Sequence, residues 1–456
     1  MTRWLYSWLL WLAQPLLRRK LARRSVQEPG YGQFIDERFG RYDQPVPVHG
    51  GPTLWIHAVS LGETRAAAVL VAALRQQLPQ MRLLLTHGTA TGRAEGLKLL
   101  QTGDLQAWQP WDTPAAVRRF LAHFKPDLGI LIETEVWPNL VAGCQHMGVP
   151  LALVNARLSD KSLRQAQRLA WLSRPAFAAL AAVWAQTLLD AQRLQSLGAK
   201  VNGVVGNLKF DATPNADQLA QGRAWRAQLA RPVVMFASSR EGEEKALLQI
   251  LSNESYLQPE GGPPTKAGYS VGAAPSPRWT HGRATTNSEN VQWLIVPRHP
   301  QRFDAVADLI ASHGFAVQRR SRWGQGGPVA LDTATQQIWL GDSLGEMALY
   351  YGLADVALLG GSFEPLGGQN LIEAAACGCP VVMGPHTFNF AEAAEQALAA
   401  GAAQRVKDLS QGAATVCEIA LNQPLQQQMV QASTAFAEQN RGAVRRTVKA
   451  VLKLLG

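Results

Sequence analysis

One tetrapeptide occurs twice, each time after an apolar run. Ser60-Leu61-Gly62-Glu63 follows TLWIHAV (53–59), and Ser343-Leu344-Gly345-Glu346 follows QQIWLGD (336–342). Other charged groups hold similar positions. Glu133-Thr134-Glu135 follows LGILI (128–132), Asn155-Ala156-Arg157 follows PLALV (150–154), and Pro297-Arg298-His299-Pro300 follows QWLIV (292–296). Lys209 lies in GNLKFD (206–211), where the first half of the chain ends. A carboxylate within hydrogen-bond reach of a hydroxyl can act as a general base. Arginine and lysine at strand ends can hold a phosphate or stabilise a departing anion without a metal. Each feature also has a plain structural reading. S-x-x-E is a capping box that starts a helix, and lone charges can simply be solvated. Glu133 and Glu135 could share a metal, but alternate residues often point apart, and no Asp-x-Asp occurs in the chain.

A second constellation lies at 355–390, DVALLGGSFEPLGGQNLIEAAACGCPVVMGPHTFNF. It reads as strand (355–359), glycine-rich loop (360–369), helix (370–376) and strand (380–383). The glycines would let backbone approach a ligand, and the helix start would turn N–H groups toward an anion. Asn370 and Glu373 have capping-box spacing. GGSFEPLGG lacks G-x-G-x-x-G, so it is not the dinucleotide fingerprint.

Strands that could place these residues alternate with helical patterns. They are expected at 53–59, 82–86, 128–132, 150–154, 181–186 and 201–205, and again at 232–237, 292–296, 336–340, 355–359 and 380–383. Apolar strands alternating with helices predict parallel sheets covered on both faces, in two α/β domains. The polar break near 206–231 contains Pro214 and ends before Pro232. The expected organisation is a membrane-associated segment (1–24), a first domain (25–213), a second domain (232–430) and closing helices (431–456). Residues 253–290, rich in Gly, Pro, Ser, Thr and Asn with no apolar period, read as a disordered insertion.

Composition narrows the partners. The chain has 456 residues, 47% hydrophobic, with 44 Lys+Arg against 34 Asp+Glu, a net charge of +10. That favours an anionic partner, and the absence of a basic run interleaved with aromatics argues against nucleic acid. The four cysteines, Cys144, Cys377, Cys379 and Cys417, make no disulfide framework in a chain this long. Trp4–Leu17 is apolar, carries Trp4, Trp8 and Trp11 on one helical face, and is followed by Arg18, Arg19, Lys20, Arg23 and Arg24. It is short for a span, and its charge follows the apolar run, the reverse of a cleavable signal. The pattern suits a helix lying in an anionic membrane surface, or one packed on its own domain.

Seven segments in order, HAVSLGE (57–63), ETEVWPN (133–139), NARLSDKS (155–162), GNLKFD (206–211), PRHPQRF (297–303), GDSLGEM (341–347) and GGQNLIEAAACGCPVVMGPHTFNF (367–390), resemble the lipid A 3-deoxy-D-manno-octulosonic acid (Kdo) transferases. The resemblance implies a GT-B fold: α/β, two Rossmann-like parallel-sheet domains facing a central cleft, with an N-terminal membrane-associated helix. It also implies transfer of Kdo from CMP-Kdo to a hydroxyl of lipid IVA, with inversion, without metal or cofactor, at the cytoplasmic face of the inner membrane. By motif, Glu63 resembles the catalytic base, and Glu133 and Lys209 resemble residues that stabilise the transition state. Pro297, Arg298, Leu344, Gly345, Glu346, Asn370, Leu371, Ile372 and Glu373 resemble the CMP contacts.

Two positions depart from the pattern. Gln369 stands where the family usually has His before the Asn, and Arg240 where His often precedes Glu-Gly-Glu (241–243). Rival readings are a GT-B enzyme using a UDP-sugar, a sugar-nucleotide epimerase, and a non-catalytic nucleotide-sugar scaffold.

Overall fold

A computed structural model describes residues 2–255, 290–328 and 336–455. Nearly all of the expected 253–290 insertion lies outside the described residues. The chain divides into two compact units, Met1–Ala212 with Asn440–Gly456, and Thr213–Gln439.

The first unit is built on β1 (Thr53–His57), β2 (Arg82–His87), β3 (Leu105–Trp108), β4 (Leu128–Ile132), β5 (Leu151–Ala156), β6 (Ala182–Ala185) and β7 (Val201–Val204). Among the described residues they form a parallel sheet of order β3-β2-β1-β4-β5-β6-β7. Register is set by pairs such as Thr53 with Arg82 and Leu54 with Leu128. Every residue of β1 is buried. Trp55 joins Phe120 and Leu131 on one face, while Leu54 and Ile56 join Leu70 and Ile130 on the other. A strand covered on both sides has no polar face to show, so it reads as a continuous apolar run. The helix Leu61–Gln77 buries Ala66, Ala67, Leu70, Val71 and Leu74. Full burial of one such leucine contributes about 1.5–3 kcal/mol.

The second unit carries β8 (Val233–Ser239), β9 (Gln292–Pro297), β10 (Ala316–Arg319), β11 (Gln337–Leu340), β12 (Val356–Leu359), β13 (Val381–Met383) and β14 (Ala403–Arg405). Their order is β10-β11-β9-β8-β12-β13-β14, again parallel. In the first sheet the connections run outward in both directions from the central pair β1 and β4; in the second they diverge from the central pair β8 and β12, but β10 lies at the edge and the chain returns inward to β11. Ligands of such sheets bind at the carboxyl ends of strands beside this switch point.

Eleven strands match the expected segments within a few residues; β3, β10 and β14 do not. All three lie at sheet edges and run only LQAW, AVQR and AQR. The expected C-terminal helical region is two helices, Gln423–Gln439 and Ala443–Leu455, broken at Gly442 (φ 94°). Asp211 caps the second, accepting from the Gly442 and Val444 N–H groups at 2.5 and 2.7 Å, so this acidic residue of GNLKFD is a structural anchor.

The N-terminal helix spans Thr2–Gln27, with Pro15 inside it. Tyr6 donates to Asp112 (3.0 Å), Ser7 to Asn139 (3.1 Å), and Leu21 is buried, so one side packs on the first unit. The opposite side leaves Trp4 72%, Trp8 48% and Trp11 62% exposed, together with Leu5, Leu9, Leu12 and Leu16. Among the described residues no helix is long and apolar enough to cross a membrane.

Candidate active site

Beyond His57 the chain turns through Ala58, Val59 and Ser60 into the helix that begins at Leu61. Ser60 is its N-cap, its hydroxyl accepting the Glu63 N–H at 3.4 Å, and the Glu63 side chain reaches back one residue further than in a capping box. The Val59 N–H donates to Glu63 Oε2 at 2.9 Å, and the Ser60 hydroxyl donates to Glu63 Oε1 at 2.8 Å. The end of β2 locks this turn. The Val59 carbonyl accepts from the N–H groups of Gly88 (3.2 Å) and Thr89 (3.0 Å) and from the Thr89 hydroxyl (2.9 Å). The Ala58 carbonyl accepts from His87 Nδ1 at 2.9 Å. That proton leaves Nε2 to accept from Gln106 Nε2 at 3.1 Å, which fixes a neutral tautomer. Burial, the largest cause, holds the His87 pKa down at about 4. His87 and Thr89 carry no motif signal, and only the fold shows that they hold the Glu63 turn.

Burial, and next the Glu133 charge, raise the Glu63 pKa to about 7; the Val59 and Ser60 hydrogen bonds oppose them. A carboxyl group poised there can accept a proton near neutrality. Glu133 follows β4 with φ 65°, left-handed for a residue with a Cβ, and accepts from Lys209 Nζ at 2.9 Å. Glu135 instead accepts from Trp137 Nε1 at 2.9 Å, so the two carboxylates are engaged by different groups. Lys209 is set by Asn155, which is fully buried with φ 54° and whose Oδ1 accepts the Leu208 N–H at 3.0 Å. Glu63, Glu133 and Lys209, read from separate motifs, thus stand on strand-end turns of one sheet. Among the described residues no group of three or more His, Cys, Asp or Glu side chains is gathered as a metal site.

In the second unit the glycine-rich loop is positioned by a residue to which sequence gave no role. Glu243, buried, accepts the Gly361 N–H on both oxygens at 2.8 Å and the Arg240 N–H at 2.8 Å. Burial raises its pKa, and these N–H groups oppose that shift. Glu244, with no exposure, accepts from Ser239 and binds Arg302 through both oxygens at 2.7 and 3.0 Å. Pro297 ends β9 and Arg298 follows it, its N–H donating to the Ser239 carbonyl at 3.0 Å. Arg240 and Gln369, separate departures in sequence, are neighbours here. A Cβ placed on Gly361 would lie 3.1 Å from Gln369 Nε2 and 3.5 Å from Arg240 Cγ.

Two local expectations are corrected. The second S-x-x-E does not open a helix. The helix Met347–Leu353 starts after Glu346, whose carboxylate instead accepts from Arg320 (2.8 Å) and from the Ser343 hydroxyl, while Leu344 and Gly345 are exposed. Asn370 precedes the helix Leu371–Ala376 but its side chain makes no cap bond, and its buried Oδ1 has no partner among the described residues. Leu371 and Ile372 are core residues of that helix, and Glu373 lies in its first turn. Gly360 and Gly367 also admit neighbouring chain. A Cβ on Gly360 would meet the Ser238 carbonyl at 2.5 Å, and one on Gly367 would meet Asn389 at 2.4 Å.

Two seven-stranded parallel-sheet units with charged turns at their strand ends are the architecture of the GT-B fold, which carries more than one activity on sugar nucleotides. Residues 33–212 match the family model described as 3-Deoxy-D-manno-octulosonic-acid transferase (kdotransferase). A 3-deoxy-D-manno-octulosonic acid transferase from Bordetella pertussis is 43% identical over 464 residues, covering 100% of both chains. One from Haemophilus influenzae is 30% identical, covering 98% of this chain and 97% of its own. The chain belongs to this Kdo transferase family. The solved UDP-GlcNAc 2-epimerase from Neisseria meningitidis has a TM-score of 0.54 at 14% identity, covering 88% of this chain and 100% of its own, a likeness of fold.

Proposed function

We propose that the chain transfers Kdo from CMP-Kdo to a hydroxyl of lipid IVA, with inversion, and that Glu63 is the general base. The observation that carries this is the Glu63 carboxyl group, fixed by Val59 and Ser60 and raised to about 7. Glu63 takes the proton of the acceptor hydroxyl, the oxygen attacks the anomeric carbon, and the bond to the CMP phosphate breaks with its electron pair leaving on phosphate. One base and one displacement need no covalent intermediate and give inversion. Glu133 and Lys209 stabilise the transition state. Pro297, Arg298, the Leu344–Glu346 segment and Asn370–Glu373 hold CMP, with Asn370 Oδ1 an acceptor that a donor hydroxyl would satisfy. The net charge of +10 suits an anionic donor and an anionic lipid. The exposed tryptophan face of the N-terminal helix lies in the cytoplasmic leaflet of the inner membrane, as a peripheral attachment.

The test is incubation of the purified chain with lipid IVA and either CMP-Kdo or UDP-sugars, read by mass spectrometry and by NMR of the product anomer. Expected are mass gains of whole Kdo units from CMP-Kdo alone, with the inverted anomer. Transfer from a UDP-sugar instead, or a retained anomer, would overturn the reading.

A further inference from the structure

We infer that Arg240 binds the carboxylate of the donor sugar, a second anion beside the phosphate held by Arg298; this rests on the reading of the second unit as the donor site. Arg240 leaves the end of β8, next to β12, at the switch point of the second sheet. Its backbone is pinned by Glu243, which also pins Gly361. Arg298 leaves the end of the adjacent strand β9, and its N–H bonds the Ser239 carbonyl one residue before Arg240. The two arginines therefore spring from neighbouring strand ends. Arg302, the next cation along, is engaged bidentately by Glu244. No acceptor for the Arg240 guanidinium is found among the described residues. His299 feels the result: burial and the charges of Arg240, Arg298 and Arg302 all lower its pKa.

The ligand chemistry calls for two cations. An octulosonic acid carries its carboxylate directly on the anomeric carbon, the same carbon that bears the phosphate in the activated donor. One guanidinium fork matches one planar or tetrahedral anion. Two anions on one carbon are therefore best met by two arginines from adjacent strands. Gly361 keeps the space beside Arg240 open, since a Cβ there would lie against the Arg240 stem and the Gln369 amide.

CMP lacks the carboxylate and CMP-Kdo has it, so the two ligands separate the roles. The full chain carrying Arg240→Gln, Arg240→Lys or Arg298→Gln is assayed for KM with CMP-Kdo and for competitive inhibition by CMP, with melting temperature as the folding check. Arg240→Gln is expected to raise KM for CMP-Kdo by about 10- to 100-fold with CMP inhibition unchanged within about twofold. Arg240→Lys keeps the charge without the fork and recovers part of the loss. Arg298→Gln weakens both ligands. Equal weakening of CMP and CMP-Kdo in Arg240→Gln would move Arg240 to the phosphate and overturn the inference, as would no change in either. If instead Arg298→Gln leaves both ligands unaffected, the donor-site reading itself fails, an outcome distinct from failure of Arg240 alone.

Discussion

Lys209 Nζ stands 2.9 Å from Glu133 Oε1, and the two side chains are only 18% and 14% exposed. Glu133 is also the charge that most raises the Glu63 pKa after burial itself. The proposed base and the ion pair are thus electrostatically linked within one unit. Lys209→Met should lower kcat on the order of 10²-fold while raising the donor KM far less, as expected for charge stabilisation in the transition state. The fold should lose about 3–5 kcal/mol as well, since Glu133 is left largely buried without its cation. Steady-state kinetics and thermal melts check both. A loss confined to KM would make Lys209 a ground-state binding group.

The raised Glu63 pKa sets the pH dependence. A base must be ionised, so kcat/KM should rise with pH through about 7 and level off above it. Glu133→Gln removes a like charge and should move that limb to lower pH while lowering the plateau. Stability has the opposite sign. A carboxyl group whose folded pKa is raised contributes stability below its ordinary pKa, and that contribution is lost as pH rises through about 7. Above that pH, Glu63→Gln, which cannot ionise, should be more stable than the parent chain. A rate limb in the ordinary carboxylate range would remove Glu63 as the titrating base.

What could be read in advance follows from locality. Strand β1 was visible because all five of its residues are buried, and Ser60 with Glu63 because a capping box is written within four residues. Edge strand β14, AQR, carries no such pattern, because only Ala403 is buried while Gln404 is half-buried and Arg405 exposed. The anchors were invisible for another reason. Asn155 takes the N–H of Leu208, 53 residues on, and Glu243 takes that of Gly361, 118 residues on. Such pairings depend on which strand ends lie side by side, and sheet order is not local information. The second S-x-x-E shows the limit even of local signals: Arg320 captures Glu346, and the helix starts one residue later.

The N-terminal helix offers a test that leaves the fold intact. Deleting it would also remove the hydrogen bonds to Asp112 and Asn139, so side-chain changes on its exposed face are cleaner. Trp4→Ser, Trp8→Ser and Trp11→Ser together should lower binding to vesicles containing anionic lipid by about tenfold or more. The melting temperature and turnover on detergent-dispersed acceptor should hardly change. Equal vesicle binding by the triple variant and the parent chain would end the interfacial-helix proposal.

Glu63 and Glu346 occupy the same tetrapeptide, and their glutamine variants separate a helix cap from a catalyst. At Glu63 the amide oxygen can still accept the Val59 N–H, and the Ser60 hydroxyl can turn to accept from the new NH2 group. The cap therefore survives, and Glu63→Gln should alter stability by well under about 1 kcal/mol at low pH. Only the proton acceptor is lost. If Glu63 is the base, kcat falls by about 10²–10⁴-fold with CMP affinity near that of the parent chain. Glu346 caps nothing with its side chain, and its charge is engaged by Arg320. Glu346→Gln should therefore act on donor KM, with kcat within a few-fold of the parent chain. Calorimetry with CMP and saturating-donor kinetics on both variants distinguish the cases. A well-folded Glu63→Gln chain that turns over within a few-fold of the parent would reduce Glu63 to a cap and pass the role of base to Glu135, whose carboxyl group burial also raises.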